Sequence, residues 1–360
     1  MIFNRAPEFV TQFIDSIDVA LRAQDDKGLS RSQHCWLAFC VMAVIVTNSV
    51  CWARFSRAGL GRYSVARLCW FFLRSRISWD KMLHASIAVV LRAHNVNTGT
   101  LVIDDTDKKR SKSTTRIWGV SKLFDKATGG YVRGQNIVTL ILVTPTITVP
   151  VGFAFHRPDP AQQAWIKKCA ELKKRGASRE SYPVKPERDV AYPTRIDLAL
   201  QLIEQFKTQH PKIAIKGVLA DAAYGTARFL DKASACYGGG TQVVSQLRKN
   251  QIVVSRGRKQ TLDEYFRRDG VPQTLRVRGN ENEIAVVMDS ARLHVESHGK
   301  KRYIIALKYE GESDYRYVVA SDLAWRASDI VKFWTQRWLV EVFFEDWKGY
   351  EGWDALAKQQ

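Results

Sequence analysis

Over residues 7–23, 30–48, 60–76 and 79–93 apolar positions recur every three or four residues, the spacing that keeps one face of a helix hydrophobic. Ser30 and Ser78 stand where N-caps would be. The pattern predicts a helical domain over residues 1–95. Its second and third helices are joined by RFSRAGLGRYS, a glycine-broken connector holding three arginines. Helix, basic turn, helix suits a small DNA-binding bundle and equally a packing domain with a solvated cationic loop.

Near residue 99 the texture changes to short β-branched runs at 100–105, NIVTLILVT (136–144) and TVPVGFAF (148–155), separated by Gly129, Gly130 and Pro145. These read as consecutive antiparallel strands. Residues 158–210 read as helical or irregular, with the charged, Pro-punctuated stretch KKRGASRESYPVKPERDVAYP as a surface loop. KIAIKGVLAD (212–221) is a strand, GTARFLDKASA a helix and TQVVSQLR (241–248) another strand. Strands alternating with helices after a strand run predict an α/β protein, a mixed sheet flanked by helices. Residues 250–322 are again β-rich, and one long aromatic helix is expected from Ala327 to about Lys348. The layout is then a helical domain (1–95), a core (96–249), a β-rich insertion (250–322) and a closing helix within 323–360.

Charge points to a partner. The chain holds 55 Lys and Arg against 36 Asp and Glu, a net charge of +19. Such an excess favours a polyanion, nucleic acid first. Within 246–280 nine basic residues face three acidic ones. There TLRVR places Thr274, Arg276 and Arg278 on one strand face and Leu275 and Val277 on the other, either a surface for a phosphate backbone or a solvated face.

Cys35, Cys40, Cys51, Cys69, Cys169 and Cys236 form no C-x-x-C pair and no zinc-finger spacing, so reduced thiols are expected. The apolar run CWLAFCVMAVIV (35–46) is shorter than the ~20 residues of a bilayer span and reads as a buried helix, without a membrane role. MIFNRAPEFV has none of the regions of a secretory signal, which predicts a cytoplasmic protein.

Acids supply the candidate chemistry. In LVIDD, Asp104 and Asp105 alternate faces, so only one is expected to share a site with neighbouring strands. GVLAD delivers Asp221 at the end of a second strand. Carboxylates gathered at one sheet edge repel unless divalent cations lie between them. Mg²⁺ prefers such oxygen ligands, and a pair of ions about 4 Å apart serves phosphodiester cleavage. A third acid is expected from the closing helix. There Trp334, Arg337, Glu341 and Lys348 fall within an arc of roughly 60° at about 100° per residue, with Glu345 on much the same face. A wet face of an amphipathic helix is the alternative.

The order Asp104, Asp221, Glu341, with ADAAYG at the second acid, resembles the DDE transposases of bacterial insertion sequences. More narrowly, Trp334-x2-Arg337-x3-Glu341-x6-Lys348 resembles the Tyr-Arg-Glu-Lys signature of one cut-and-paste group, departing from it in having Trp for Tyr. The resemblance implies a ribonuclease-H-like fold with a β-rich insertion. It also implies catalysis and metal binding by Asp104, Asp221 and Glu341 with Mg²⁺ (Mn²⁺ as substitute), two ions in number.

The family's first acid typically reads Asp-x-Thr/Ser, and the match at Asp104-Asp105-Thr106 implies Asp104 as the ligand with Asp105 turned away, leaving Asp105 and Glu345 as backup ligands. Trp334, Arg337 and Lys348 would contact DNA, while Lys108, Lys109 and Arg110, with Arg276 and Arg278, would offset its phosphate charge. The implied partners are double-stranded DNA, as terminal inverted repeats and target, and a second copy in a homodimeric DNA complex on the nucleoid. A catalytically inactive or domesticated DNA-binding regulator and a stand-alone nuclease on the same fold are the alternatives.

Overall fold

The structure, a computed structural model, describes residues 6–25, 27–111, 114, 117–125, 128–269, 271–278 and 283–349. The chain divides into two compact units, Met1–Val96 with Glu341–Gln360, and Asn97–Val340.

The first unit contains α1 (Glu8–Asp25), α2 (Arg31–Thr47), α3 (Trp52–Ala58), α4 (Val65–Arg74) and α5 (Trp79–Ala93). Ser30 caps α2 as expected: its hydroxyl accepts from the Gln33 N–H while the Gln33 side chain accepts from the Ser30 N–H. Asn48, at φ 44°, ends the helix in the left-handed conformation. The core gathers Ile14, Trp36, Phe39, Met42, Phe55 and Leu68, with Trp36 stacked on Phe71 at 5.2 Å.

Two local expectations are corrected. The arginine connector contains α3, so Arg54 and Arg57 ride on a helix, and the next helix starts later, at Val65. Its cap is Ser64, which accepts from the Arg67 N–H, whereas Ser78 makes no side-chain cap bond. No single helix among the described residues is long and apolar enough to cross a membrane.

The second unit is built on one twelve-stranded sheet. Its first strands are β1 (Thr98–Arg110), β2 (Ser121–Asp125), β3 (Gly130–Val143) and β4 (Thr148–His156). Two helices, α6 (Pro160–Lys174) and α7 (Arg195–Gln209), precede β5 (Ala214–Ala220), α8 (Ala227–Cys236) and β6 (Gln242–Leu247). β3 pairs antiparallel with both β1 and β4, while β5 is parallel to β1 and β6 parallel to β5. An antiparallel meander continued by two parallel strands is a mixed α/β arrangement of the ribonuclease-H-like kind.

The β-rich stretch comprises β7 (Ile252–Ser255), β8 (Arg258–Thr261), α9 (Leu262–Asp269), β9 (Gln273–Arg278), β10 (Glu283–Val295), β11 (Lys300–Tyr309) and β12 (Arg316–Ala320). These strands continue the same sheet, because β12 pairs with β6 and the order runs β2-β3-β1-β5-β6-β12-β11-β10-β7-β8. Among the described residues β9 pairs with β10 alone, with Arg276 opposite Ala285.

The closing helix is two helices, α10 (Ala327–Thr335) and α11 (Trp338–Gly349), and the division between the units falls within α11. At the break the Arg337 N–H reaches the Trp334 carbonyl (3.0 Å) and the Val340 N–H the Arg337 carbonyl (3.1 Å), the three-residue spacing of a tighter turn. Thr100 pins the break by donating its hydroxyl to Gln336 Oε1 at 3.1 Å. α10 lies so close to the sheet that a Cβ on Gly217 would collide with the Phe333 ring.

Candidate active site

Asp104 and Asp105 do not end a strand. β1 runs on to Arg110, paired with β3 along its whole second half. What ends at this level is the parallel neighbour: the last β1–β5 pair is Ile103↔Ala220, so Asp221 emerges beside Asp104 where the sheet edge opens. Asp221 is extended and caps the short turn Ala222–Tyr224, one carboxylate oxygen accepting from the Ala223 N–H at 2.8 Å.

Because Asp221 leaves the sheet at this edge, it meets acids from both faces of β1. Asp104, Asp105 and Asp221 each offer an oxygen, all within 4.8 Å of one another. Alternation alone therefore misjudges Asp105, which does not turn away from the cluster.

Each acid is held differently. Asp104 Oδ1 accepts from the Asp105 N–H at 2.8 Å, and Oδ2 lies 3.4 Å from Arg337 Nη1. Burial pushes the Asp104 carboxyl up to about 7, with Arg337 opposing and Asp221 adding to the rise. Burial likewise raises Asp221, against its backbone hydrogen bond from Ala223 and with the charge of Asp105.

Asp105 Oδ2 takes the Asn136 amide at 2.9 Å and Arg195 Nη1 at 3.0 Å. Arg195 is the first residue of α7, whose start is set by a capping box in which Thr194 and Asp197 exchange side-chain and backbone bonds. Asn136 also donates to Asp107 at 2.8 Å. His156, opposite Asn136 across the β3–β4 pair, is held below its usual range by burial and by Arg195.

The basic residues are more dispersed than expected. Lys108 is buried in the sheet, 3% exposed, so it is no surface contact for DNA. Lys109 is paired with Asp125 at 2.8 Å, and Arg110 donates to Gln135 at 3.0 Å. The reason is the length of β1, which carries all three into hydrogen-bonded pairing with β3 instead of leaving them on a loop.

Trp334 is also corrected. It is core, 4% exposed, with the Arg337 guanidinium 5.5 Å from its ring centre, and so it is a platform under Arg337 and not a DNA contact. Arg276 is exposed on β9, while the side chain of Arg278 lies outside the described residues. Glu341, Glu345 and Lys348 are on the part of α11 that belongs to the first unit.

Sequence reasoning missed Arg195, Asn136 and His156. No local signal marks the first two, which reach Asp105 across 90 and 31 residues respectively.

The sequence profile of the DDE superfamily endonucleases matches residues 48–301, which includes Asp104, Asp105 and Asp221. The chain belongs to this family. DNA is thereby the substrate class and endonucleolytic cleavage the reaction class, and the acidic cluster fits the family's use of a divalent metal. Trp334, Arg337, Glu341 and Lys348 lie beyond the matched residues. No curated protein matches the chain.

The donor set fits such an ion on its own chemistry. Three hard carboxylates converge, and burial, with Asp221 adding to it, raises Asp104 against the opposing charge of Arg337, a setting that a divalent cation would relieve.

Proposed function

We propose that the chain is a DDE transposase that cleaves DNA at transposon terminal inverted repeats and joins the freed 3′-hydroxyl to target DNA. The convergence of Asp104, Asp105 and Asp221 at an opened sheet edge, beside Arg337, carries this reading. Asp104 and Asp221 are the first two catalytic acids and Glu341 of the Tyr-Arg-Glu-Lys-like signature the third, with Asp105 and Glu345 the backups.

Mg²⁺, or Mn²⁺ in its place, held as two ions, supplies Lewis acidity toward the scissile phosphate and the attacking oxygen. The protein's part is positioning. Asp104 on β1 and Asp221 just past the parallel β5 present their carboxyl oxygens side by side. Arg337 stands on Trp334 with Asp104 as a long, 3.4 Å partner, which sets its guanidinium beside the acids where a phosphate would lie. Arg195, half-exposed and anchored to Asp105, is placed to hold the neighbouring phosphate. Lys348, Lys109, Arg110, Arg276 and Arg278 extend the contact along the backbone. Two ends cut together call for a homodimer in the DNA complex, acting in the cytoplasm on the nucleoid.

The test is a nicking assay on inverted-repeat DNA with Mg²⁺ or Mn²⁺, paired with a joining assay on pre-cut 3′-hydroxyl ends. Asp221→Asn is expected to lower nicking by about a hundred- to a thousandfold while sparing DNA binding, the scale expected when charge stabilisation at the reacting centre is lost. Nicking retained in that variant removes Asp221 from the chemistry. Nicking without joining in the unmodified protein assigns it as a stand-alone nuclease.

A further inference from the structure

The loop that carries Asp221 is clamped from behind by residues of the β-rich stretch. After the turn Ala222–Tyr224, the carbonyl of Gly225 is 3.2 Å from His298 Nε2. His298 Nδ1 is in turn 3.2 Å from Arg302 Nε. Arg302, on β11, is 1% exposed, and its guanidinium is neutralised by Asp231 of α8 at 2.8 Å, a carboxylate it shares with Lys300.

The direction of these bonds is fixed by chemistry. An arginine Nε can only donate, so His298 Nδ1 must accept, and the ring proton resides on Nε2, where it donates to the Gly225 carbonyl. Burial, then the charge of Arg302, holds His298 below its usual range and favours that neutral form. Two further contacts complete the hold. Ser245 donates its hydroxyl to the Asp221 carbonyl at 2.6 Å, and Gly225 lies so tightly on β6 that a Cβ there would collide with the Gln246 carbonyl.

Burying a guanidinium is costly even when paired, and a hydrophobic residue would fill the space at lower cost. The buried Arg302 is spent on fixing the tautomer and orientation of one ring, and that ring ends on the loop of one acid.

We propose that His298 and Arg302 are positioning residues for Asp221: together they lock the Asp221–Gly225 loop so that its carboxylate meets Asp104 and Asp105 in ligating geometry. This rests on the reading of Asp221 as a metal ligand. The pair touches no substrate and acts only through the loop.

The experiment titrates Mn²⁺ into the full-length protein by electron paramagnetic resonance, with melting temperatures recorded alongside. His298→Phe keeps the ring volume and removes both hydrogen bonds. His298→Gln can accept from Arg302 and donate to Gly225. Arg302→Lys keeps the pairing with Asp231 while removing the Nε–H. His298→Phe and Arg302→Lys are expected to weaken Mn²⁺ binding by about 10–100-fold, the usual range for outer-shell partners, and His298→Gln to restore most of it.

Native Mn²⁺ affinity in a folded His298→Phe or Arg302→Lys protein overturns the inference, and so does a His298→Gln protein no better than His298→Phe. Loss of the fold in both His298→Phe and Arg302→Lys also overturns it, since the pair would then serve stability alone. Asp221→Asn is the control: native affinity there overturns the metal-site reading itself, and this inference with it.

Discussion

Asp104 shows what the site costs the fold. Its carboxyl is raised from 3.8 to about 7 by burial, so the folded chain holds a proton that the unfolded chain has released. The sign follows: stability from this group is complete below pH 4 or so, declines as pH rises, and is lost above about 7. With ~1.36 kcal/mol for each pH unit between the two values, the loss is on the order of 4 kcal/mol. Asp104→Asn removes the charge and should therefore melt higher than the unmodified protein at pH 8 in chelator, by several degrees, and the gap should close toward pH 4 and on adding Mg²⁺ to the unmodified protein. Equal melting curves across that range, followed by circular dichroism, would mean that Asp104 carries no such strain. Asp104 and Asp221 were legible in the sequence because each follows an apolar strand run. Arg195 was not, because nothing near residue 195 announces that a capping box at Thr194 will aim it at Asp105.

Most elements follow from periodicity, while their ends and interruptions follow from contacts made far along the chain. The amphipathic pattern over 327–348 is continuous, and neither Gln336 nor Arg337 is a helix breaker. The Thr100–Gln336 hydrogen bond, spanning 236 residues, sits at the break, and no reading of the local pattern contains it. β1 outran its apolar core for a similar reason: Lys108, Lys109 and Arg110 read as cations set against DNA, yet β3 supplies backbone partners for each. The β-rich insertion was legible as strands, but strands alone do not say which edge they join, and β6 left an edge free for β12. At the break, Trp334 is both core and support for Arg337. Trp334→Ala should cost roughly 3–5 kcal/mol in urea unfolding, the range for emptying a buried aromatic site. Trp334→Phe should keep most of that and still leave a ring beneath the guanidinium. A loss under about 1 kcal/mol for the alanine variant would show that the ring is not packed as described.

For the whole molecule the governing quantity is the net charge of +19, and the question is which cations DNA feels. A cation already neutralised by a protein carboxylate releases few counterions when a phosphate arrives, whereas an unburdened exposed one releases nearly a full equivalent. Lys109 belongs to the first kind, bound to Asp125 at 2.8 Å, and Lys108 is buried. Arg276 belongs to the second, exposed on a strand that, among the described residues, pairs on one side. The salt dependence of binding separates them. In the non-cleaving Asp221→Asn background, a plot of log affinity against log salt should be steep, and adding Arg276→Ala should reduce its slope by about 1, with weakening that is the same for specific and unrelated DNA. Adding Lys109→Ala should change the slope much less, because removing the lysine also frees Asp125. If fluorescence anisotropy gave the two variants equal slopes, the β9 face would be a wet surface and the DNA path would have to be drawn over other cations.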